Sequence, residues 1–271
     1  MTYRAAAVVI ALIGGFAIVG AQPSAEQVTV PLTDPGRPAS LNLQLVRGGI
    51  TVRGSNRRDV LVIARASAGQ PQNEIGGGTG LRQVAQAPAF TVTENHNEVL
   101  FVLHTPDRAT DFEIQVPSHT NLKLGTTDVH ASIAVEGVDG DLEVNNPSGP
   151  ITLSSVGGSI VASSVEGDVR ATITTISMQR PMALSSFNRD VDVTFPSSLK
   201  ANLRLRSDQG KVFTDFDVTP LPPPTVGQNA RREGGQSRIE SNRFSYGAVN
   251  GGGPEIELRT YNGNVYVRRA Q

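Results

Sequence analysis

Four segments in the middle of the chain begin with glycine and step by nine residues: Gly140-Asp141-Leu142-Glu143-Val144, Gly149-Pro150-Ile151-Thr152-Leu153, Gly158-Ser159-Ile160-Val161-Ala162 and Gly167-Asp168-Val169-Arg170-Ala171. Each reads Gly-x-apolar-x-apolar, and Val138, Pro147, Val156 and Val165 stand two residues before the glycines. A step of that size leaves about five residues for a strand and four for a turn, so no helix fits inside it. Two half-turns make one coil, which places Leu142 and Val144 beneath Ile160 and Ala162, and Ile151 and Leu153 beneath Val169 and Ala171. A single coil cannot bury its apolar face, so coils of this kind stack, with strands about 4.8 Å apart and inward side chains in ladders. Antiparallel hairpins could repeat at the same spacing. Their turns would alternate in character from one end of the sheet to the other, whereas these turns keep a constant offset from glycine, so parallel coils are expected.

The same grammar extends in both directions. Upstream, apolar residues fall at every second position, at Leu41, Leu43 and Leu45, then Ile50 and Val52, then Val60, Val62 and Ala64, the period of strands with one buried face. Gly48-Gly49 and Gly54-Ser55-Asn56 interrupt them where turns are needed. Further strands are expected at Phe90–Val92, Val99–Leu103 and Phe112–Val116. Downstream, degenerate copies appear at Asp190–Phe195, Gly210–Phe213, Glu255–Leu258 and Gly263–Val267. Residues 67–88 and 219–254 lose the alternation and fill with Gly, Pro, Gln and Asn, and are expected to be long loops. The expected fold is therefore an all-β, single-domain β-solenoid, β-helix-like, with structural turn glycines at Gly140, Gly149, Gly158, Gly167 and Gly263.

Arg4, an uncharged run from Ala5 to Ala21 and the small-residue pattern Val19-Gly20-Ala21 form an export signal, with cleavage expected after Ala21 and the solenoid domain spanning 22–271. An uncleaved anchor is the alternative, because the run reaches the lower limit of about 17 residues for a spanning helix. The expected location is thus outside the cytoplasm, in the periplasm or at the cell surface, with no stable membrane insertion once the signal is removed. The chain has no cysteine, which removes disulfides, thiolate nucleophiles and Cys-ligated zinc. With 24 Lys and Arg against 25 Asp and Glu, charge supplies no case for nucleic acid as a partner.

The arrangement resembles the putative-adhesin family of bacterial envelope proteins, exported domains of unknown function with a β-helix-like fold. Gly48-Gly49-Ile50-Thr51-Val52-Arg53-Gly54, the nine-residue series and the ending from Gly251 to Val265 carry the resemblance. It implies a fold and a compartment and supplies no catalytic residues.

Chemistry is sought in four places. Calcium-binding nonapeptide rolls need a recurring turn aspartate, which Asn146-Pro147-Ser148-Gly149 and Ser155-Val156-Gly157-Gly158 lack. Asp139, Asp141, Glu143 and Asp168, with Arg170 and Arg189, could form the acid and base of a polysaccharide lyase or hydrolase, but most are polar positions of alternating strands, where charge is expected on a wet face. His96, His104, His119 and His130 show no metal-pair spacing, and no Gly-x-Ser-x-Gly occurs. Arg231, Arg232 and Arg238 in the late loop could grip an anionic glycan or lipid headgroup, but Glu233 and Glu240 dilute their charge. Phe244 and Tyr246 are expected to tuck that loop onto the sheet, and Arg268 and Arg269 to protect the last strand from edge pairing. The expectation is a protein with no catalytic, cofactor or metal residues, binding an envelope protein or a glycan through a polar strand face and two loops. A carbohydrate-active β-helix enzyme and an envelope-stress accessory module are the alternatives.

Overall fold

A computed structural model describes residues 25–67, 90–129, 131–177, 180–223 and 244–271, with the backbone of 232–233 and 236–237. The expected export signal, and the expected first loop from residue 68 onward, lie outside the described residues. Among the described residues all regular structure is strand, most of it in two large mixed sheets that do not close into a barrel. Strands are numbered in chain order. One sheet has ten, in the spatial order β1 (Glu26–Pro31), β4 (Asp59–Ala66), β7 (Thr110–Pro117), β3 (Ile50–Ser55), β9 (Ile133–Glu136), β11 (Ile151–Val156), β13 (Val169–Ile173), β15 (Val191–Phe195), β23 (Val265–Arg269) and β17 (Val212–Thr214). The other has eleven, in the order β18 (Val218–Pro220), β21 (Ser245–Val249), β16 (Ala201–Ser207), β22 (Glu255–Thr260), β14 (Met182–Ser185), β12 (Ile160–Ser164), β10 (Leu142–Asn146), β8 (Thr120–Thr126), β2 (Ala39–Leu45), β6 (Glu98–Leu103) and β5 (Phe90–Asn95). The short strands β19 (Arg232–Glu233) and β20 (Gln236–Ser237) pair with each other.

Consecutive strands alternate between the sheets from β8 to β15, so each successive pair, here termed a coil, puts one strand in each sheet. The register expected from the nine-residue step is present. Leu142 and Val144 pair in parallel with Ile160 and Ala162, and Ile151 and Leu153 with Val169 and Ala171. Parallel pairing continues through β14 onto β22 and then β16, and through β15 onto β23 and then β17. Sequence order is not stacking order. The coil β6–β7 lies outside β2–β3, and β22–β23 is inserted between β14–β15 and β16–β17.

Inward side chains form ladders because parallel strands in register align equivalent residues. One runs Ile50, Ile133, Ile151, Val169, Val191, Val265, all buried. Another runs Leu43, Leu124, Val144, Ala162 and Leu184 to Leu258 and Leu205, also buried. Each large side chain so buried contributes about 1.5–3 kcal/mol, and one continuous core results.

The turns are stitched by polar side chains that are buried or, at Ser207, half-buried. Ser164 Oγ accepts from the Gly167 N–H at 2.8 Å and donates to the Gly149 carbonyl of the neighbouring coil at 3.1 Å. Ser186 repeats this with Arg189 N–H and Gly167 O, Thr260 with Gly263 N–H and Arg189 O, and Ser207 with Gly210 N–H and Gly263 O. Asn146 does so through its amide, accepting from Gly149 N–H and donating to Ala131 O. Glycine is needed because adjacent turns touch. A Cβ at Gly158 or Gly167 would overlap the backbone of Gly140 or Gly149 one coil away, and Gly158 also has a φ of 94°.

Two expectations need correction. Residues 219–254 are not one loop: β18 extends into that range from Val218 and β21 lies within it, both in antiparallel pairing that places β21 against β16. The inward positions of β21 are Gly247 and Val249, so a glycine stands where the alternation would show an apolar residue. Nor is β23 an edge, since it sits between β15 and β17 and its Arg268 is bound to Asp192 at 2.7 and 3.0 Å. Beyond the first coil, β4 and β5 add antiparallel strands, and Phe90, Phe101 and Phe112 pack edge to face at 5.3 and 5.8 Å.

Gly167→Val forces apart two turn backbones and is expected to cost about 2–4 kcal/mol in urea unfolding. Ser164→Ala strands the Gly167 N–H and the Gly149 carbonyl and should cost about 1–3 kcal/mol, while Ser163→Ala, one residue away and outward, should stay within about 0.5 kcal/mol.

Candidate binding faces

The outward positions of the coils align as the inward ones do. On the eleven-stranded sheet one row runs Leu100, Asn42, Lys123, Glu143, Val161, Ala183, Glu257, Arg204, Tyr246. Beside it runs a row of small polar residues, with Gln44, Gly125, Asn145, Ser163 and Ser185 followed by Arg259, and Ser163 donates to Asn145 at 3.2 Å. A groove of about 610 Å³ crosses five strands of this face, lined among others by Ser40, Asn42, Asn121 and Ser159. Leu100 and Val161, 48% and 49% exposed, stand in that lining on strands β6 and β12 at its two sides.

On the ten-stranded sheet the outward row runs Glu113, Thr51, Ala134, Thr152, Arg170, Asp192, Tyr266, Phe213. A hollow of about 670 Å³ lies near its β7 end, lined by Arg53, Arg65, Glu113 and the backbone around Gly48 and Gly49. Arg53 and Arg65 hold Glu113 at 2.5 and 2.9 Å, and Arg53 also reaches Glu136 at 3.5 Å. The hydrogen bond from Arg65, followed by the charge of Arg53, keeps the Glu113 carboxyl below its ordinary range despite partial burial.

The acidic residues singled out from the sequence do not converge. Asp141 is paired with Arg180, Glu143 with Lys123 at 2.9 Å, and Asp168 with Arg170 at 2.8 Å. Asp139 faces His119 at 3.7 Å and accepts from Thr175 at 3.2 Å. Asp141 and Glu143 belong to the half-coil in the eleven-stranded sheet, whereas Asp168 introduces β13 of the other sheet. Its second oxygen accepts from the backbone of Asp190. The Arg189 backbone completes the turn closed by Ser186 and Thr260. These charges are therefore arranged as separate cross-coil and local ties. The partners Lys123 and Arg180, 20 and 39 residues away, give no local sequence signal.

Among the described residues no three or more His, Asp or Glu side chains are placed to hold a metal ion. His104 bonds Thr91 at 2.7 Å, and His96 sits in the β5–β6 turn with a φ of 52°. His130 and the side chains of Arg231, Arg232, Glu233, Arg238 and Glu240 lie outside the described residues. Phe244 lies under the guanidinium of Arg204 at 4.0 Å, with Arg206 at 5.4 Å, so it rests on the sheet as expected. No described helix is long and apolar enough to cross a membrane.

Glu113 has a folded pKa below its unfolded value, so its stabilising effect is present above the ordinary carboxylate range and is lost as pH falls through the folded value. Glu113→Gln should therefore be less stable than wild type at pH 7, by at most about 1 kcal/mol for so exposed a cluster, with the gap closing by about pH 3 in urea titrations.

No family model matches this sequence, and no curated protein is similar to it. Two solved structures are similar to the fold. A putative cell adhesion protein from Clostridium sporogenes matches over 92% of this chain and 100% of its own, at 10% identity and a TM-score of 0.45. A putative adhesin from Bacteroides fragilis matches over 93% and 100%, at 10% identity and a TM-score of 0.34.

Proposed function

We propose that this chain is an exported, non-catalytic cell-envelope β-solenoid that binds a protein or glycan partner through the outer face of its eleven-stranded sheet. The observation that carries the reading is the groove across five strands, in which polar side chains recur at the strand spacing of about 4.8 Å between two exposed apolar residues, Leu100 and Val161. A repeating partner meets a repeating lattice there, as on the extended surfaces of other stacked-repeat proteins. Asp141 with Arg180 and Lys123 with Glu143 are already matched within the lining, so the groove favours a ligand recognised by hydroxyl and amide groups over a strongly anionic one. The export signal at residues 1–21, with cleavage after Ala21, accounts for the compartment. The turn glycines Gly140, Gly149, Gly158, Gly167 and Gly263 are structural in this reading, and no cofactor is required.

Immobilised wild-type protein and a Leu100→Glu, Val161→Glu double variant, exposed to a panel of cell-wall glycans and to envelope extract, test this directly. A glycan or protein retained by the wild type should be lost by about tenfold or more from the variant, the scale of removing central apolar contacts. Retention of nothing by either protein, or equal retention by both, contradicts the reading.

A further inference from the structure

The two ends of the stack are finished differently. At the β6–β7 end both sheets continue into antiparallel strands, β5 on β6, and β4 then β1 on β7. At the other end only the eleven-stranded sheet continues, through β21 and β18, the last of which contains Pro220. The ten-stranded sheet stops at β17, and among the described residues no strand of it lies across from β21 and β18.

The strand β17 also departs from the pattern of its neighbours. Val212 occupies the inward ladder position after Val265, yet it is 36% exposed, and Phe213 is 45% exposed. Val265 N–H donates to the Lys211 carbonyl at 2.9 Å and Asp215 N–H to the Val267 carbonyl, which fixes the edge that faces β23. Alternate residues of a strand direct their backbone groups to opposite edges, so those of Val212 and Thr214 face outward from the sheet. A hollow of about 220 Å³ lies over β17 and β23, lined by Phe213, Thr214, Asp215, Tyr266, Val267 and Arg268, with the rings of Phe213 and Tyr266 stacked at 5.2 Å.

We infer that the outer edge of β17 is a docking site for one extended segment of a partner protein, which adds as the next strand of the ten-stranded sheet. Its inward side chains would extend the apolar ladder beyond Val212, where among the described residues no further strand of this sheet lies. A row of unpaired peptide groups gives such a strand its affinity, and side-chain positions set its choice. Those positions are defined here by charge. An antiparallel strand centred on Phe213 puts its first residue opposite Asp215 and its fifth opposite Lys211, which calls for a basic residue first, an acidic residue fifth and apolar residues second and fourth. A second copy of this chain docked about a twofold axis through β17 is disfavoured, because β21 and β18 of both copies would compete for the same volume.

The probe is a fluorescent peptide, Lys-Val-Thr-Val-Glu, titrated with the full chain. Saturable binding is expected, weakened by about tenfold or more in Val212→Pro, which removes an edge donor without touching the bonds to β23. A peptide N-methylated on the backbone nitrogens that face β17 gives the same loss with unaltered protein, which covers the case of a poorly folded variant. The charge-reversed peptide Glu-Val-Thr-Val-Lys should bind more weakly. No saturable binding by the wild type, or equal binding of the methylated and unmethylated peptides, overturns the proposal.

Discussion

The close approach of neighbouring turns is the constraint on which the architecture depends. Strands in register bring the turns of successive coils into backbone contact, and a buried hydroxyl or amide fills the corner between them. That side chain satisfies the next turn's N–H and the previous turn's carbonyl at once, as Ser164 does for Gly167 and Gly149. Without it two peptide groups would be buried unpaired, and with a Cβ in place of the glycine the coils could not close to strand spacing. The apolar ladders supply most of the stabilisation. The corners decide which residues stack, because a slip by one residue would put a side chain against the neighbouring turn's backbone at Gly149, Gly167 and Gly263.

That division explains what could be read from the sequence. The nine-residue step, with turn residues at a constant offset from glycine, favoured parallel pairing of residues 142–144 with 160–162 over hairpins, and that register sets Gly158 against Gly140. The stacking order was not legible. Val191 could have met the ladder of any coil, and what selects Val265 includes the Asp190 carboxylate, which accepts from the Asn264 backbone at 2.7 Å across 74 residues of sequence. The corner motif itself, Ser164-Val165-Glu166-Gly167 and Thr260-Tyr261-Asn262-Gly263, was present in the sequence as a hydroxyl three residues before glycine. Reading forward from each glycine concealed it.

The candidate faces follow from the same geometry with less help from sequence. Alternation shows which residues point outward, but the meeting of Leu100 on β6 with Val161 on β12 across one groove requires β2, β8 and β10 to lie between them. The acidic residues near Asp141 looked clustered because they are close in the chain, and a half-coil repeat sends successive strands to opposite sheets. The bases of Asp141 and Glu143 come from other coils and that of Asp168 from its own strand, so the charge pattern serves the stack and leaves the groove nearly balanced. In the proposed reading, binding is a property of the lattice of outward positions and of the free edge of β17.

The parallel coil is the claim beneath all of these, and the lack of native cysteine makes it directly measurable by nitroxide pairs at outward positions. Labels at Glu143→Cys and Val161→Cys, on paired strands about 4.8 Å apart, should show strong dipolar broadening. Labels at Glu143→Cys and Thr152→Cys, on opposite sheets and facing away from each other, should show none. Stronger coupling between 143 and 152 than between 143 and 161 is what a meander of antiparallel hairpins would give, and it would contradict the account.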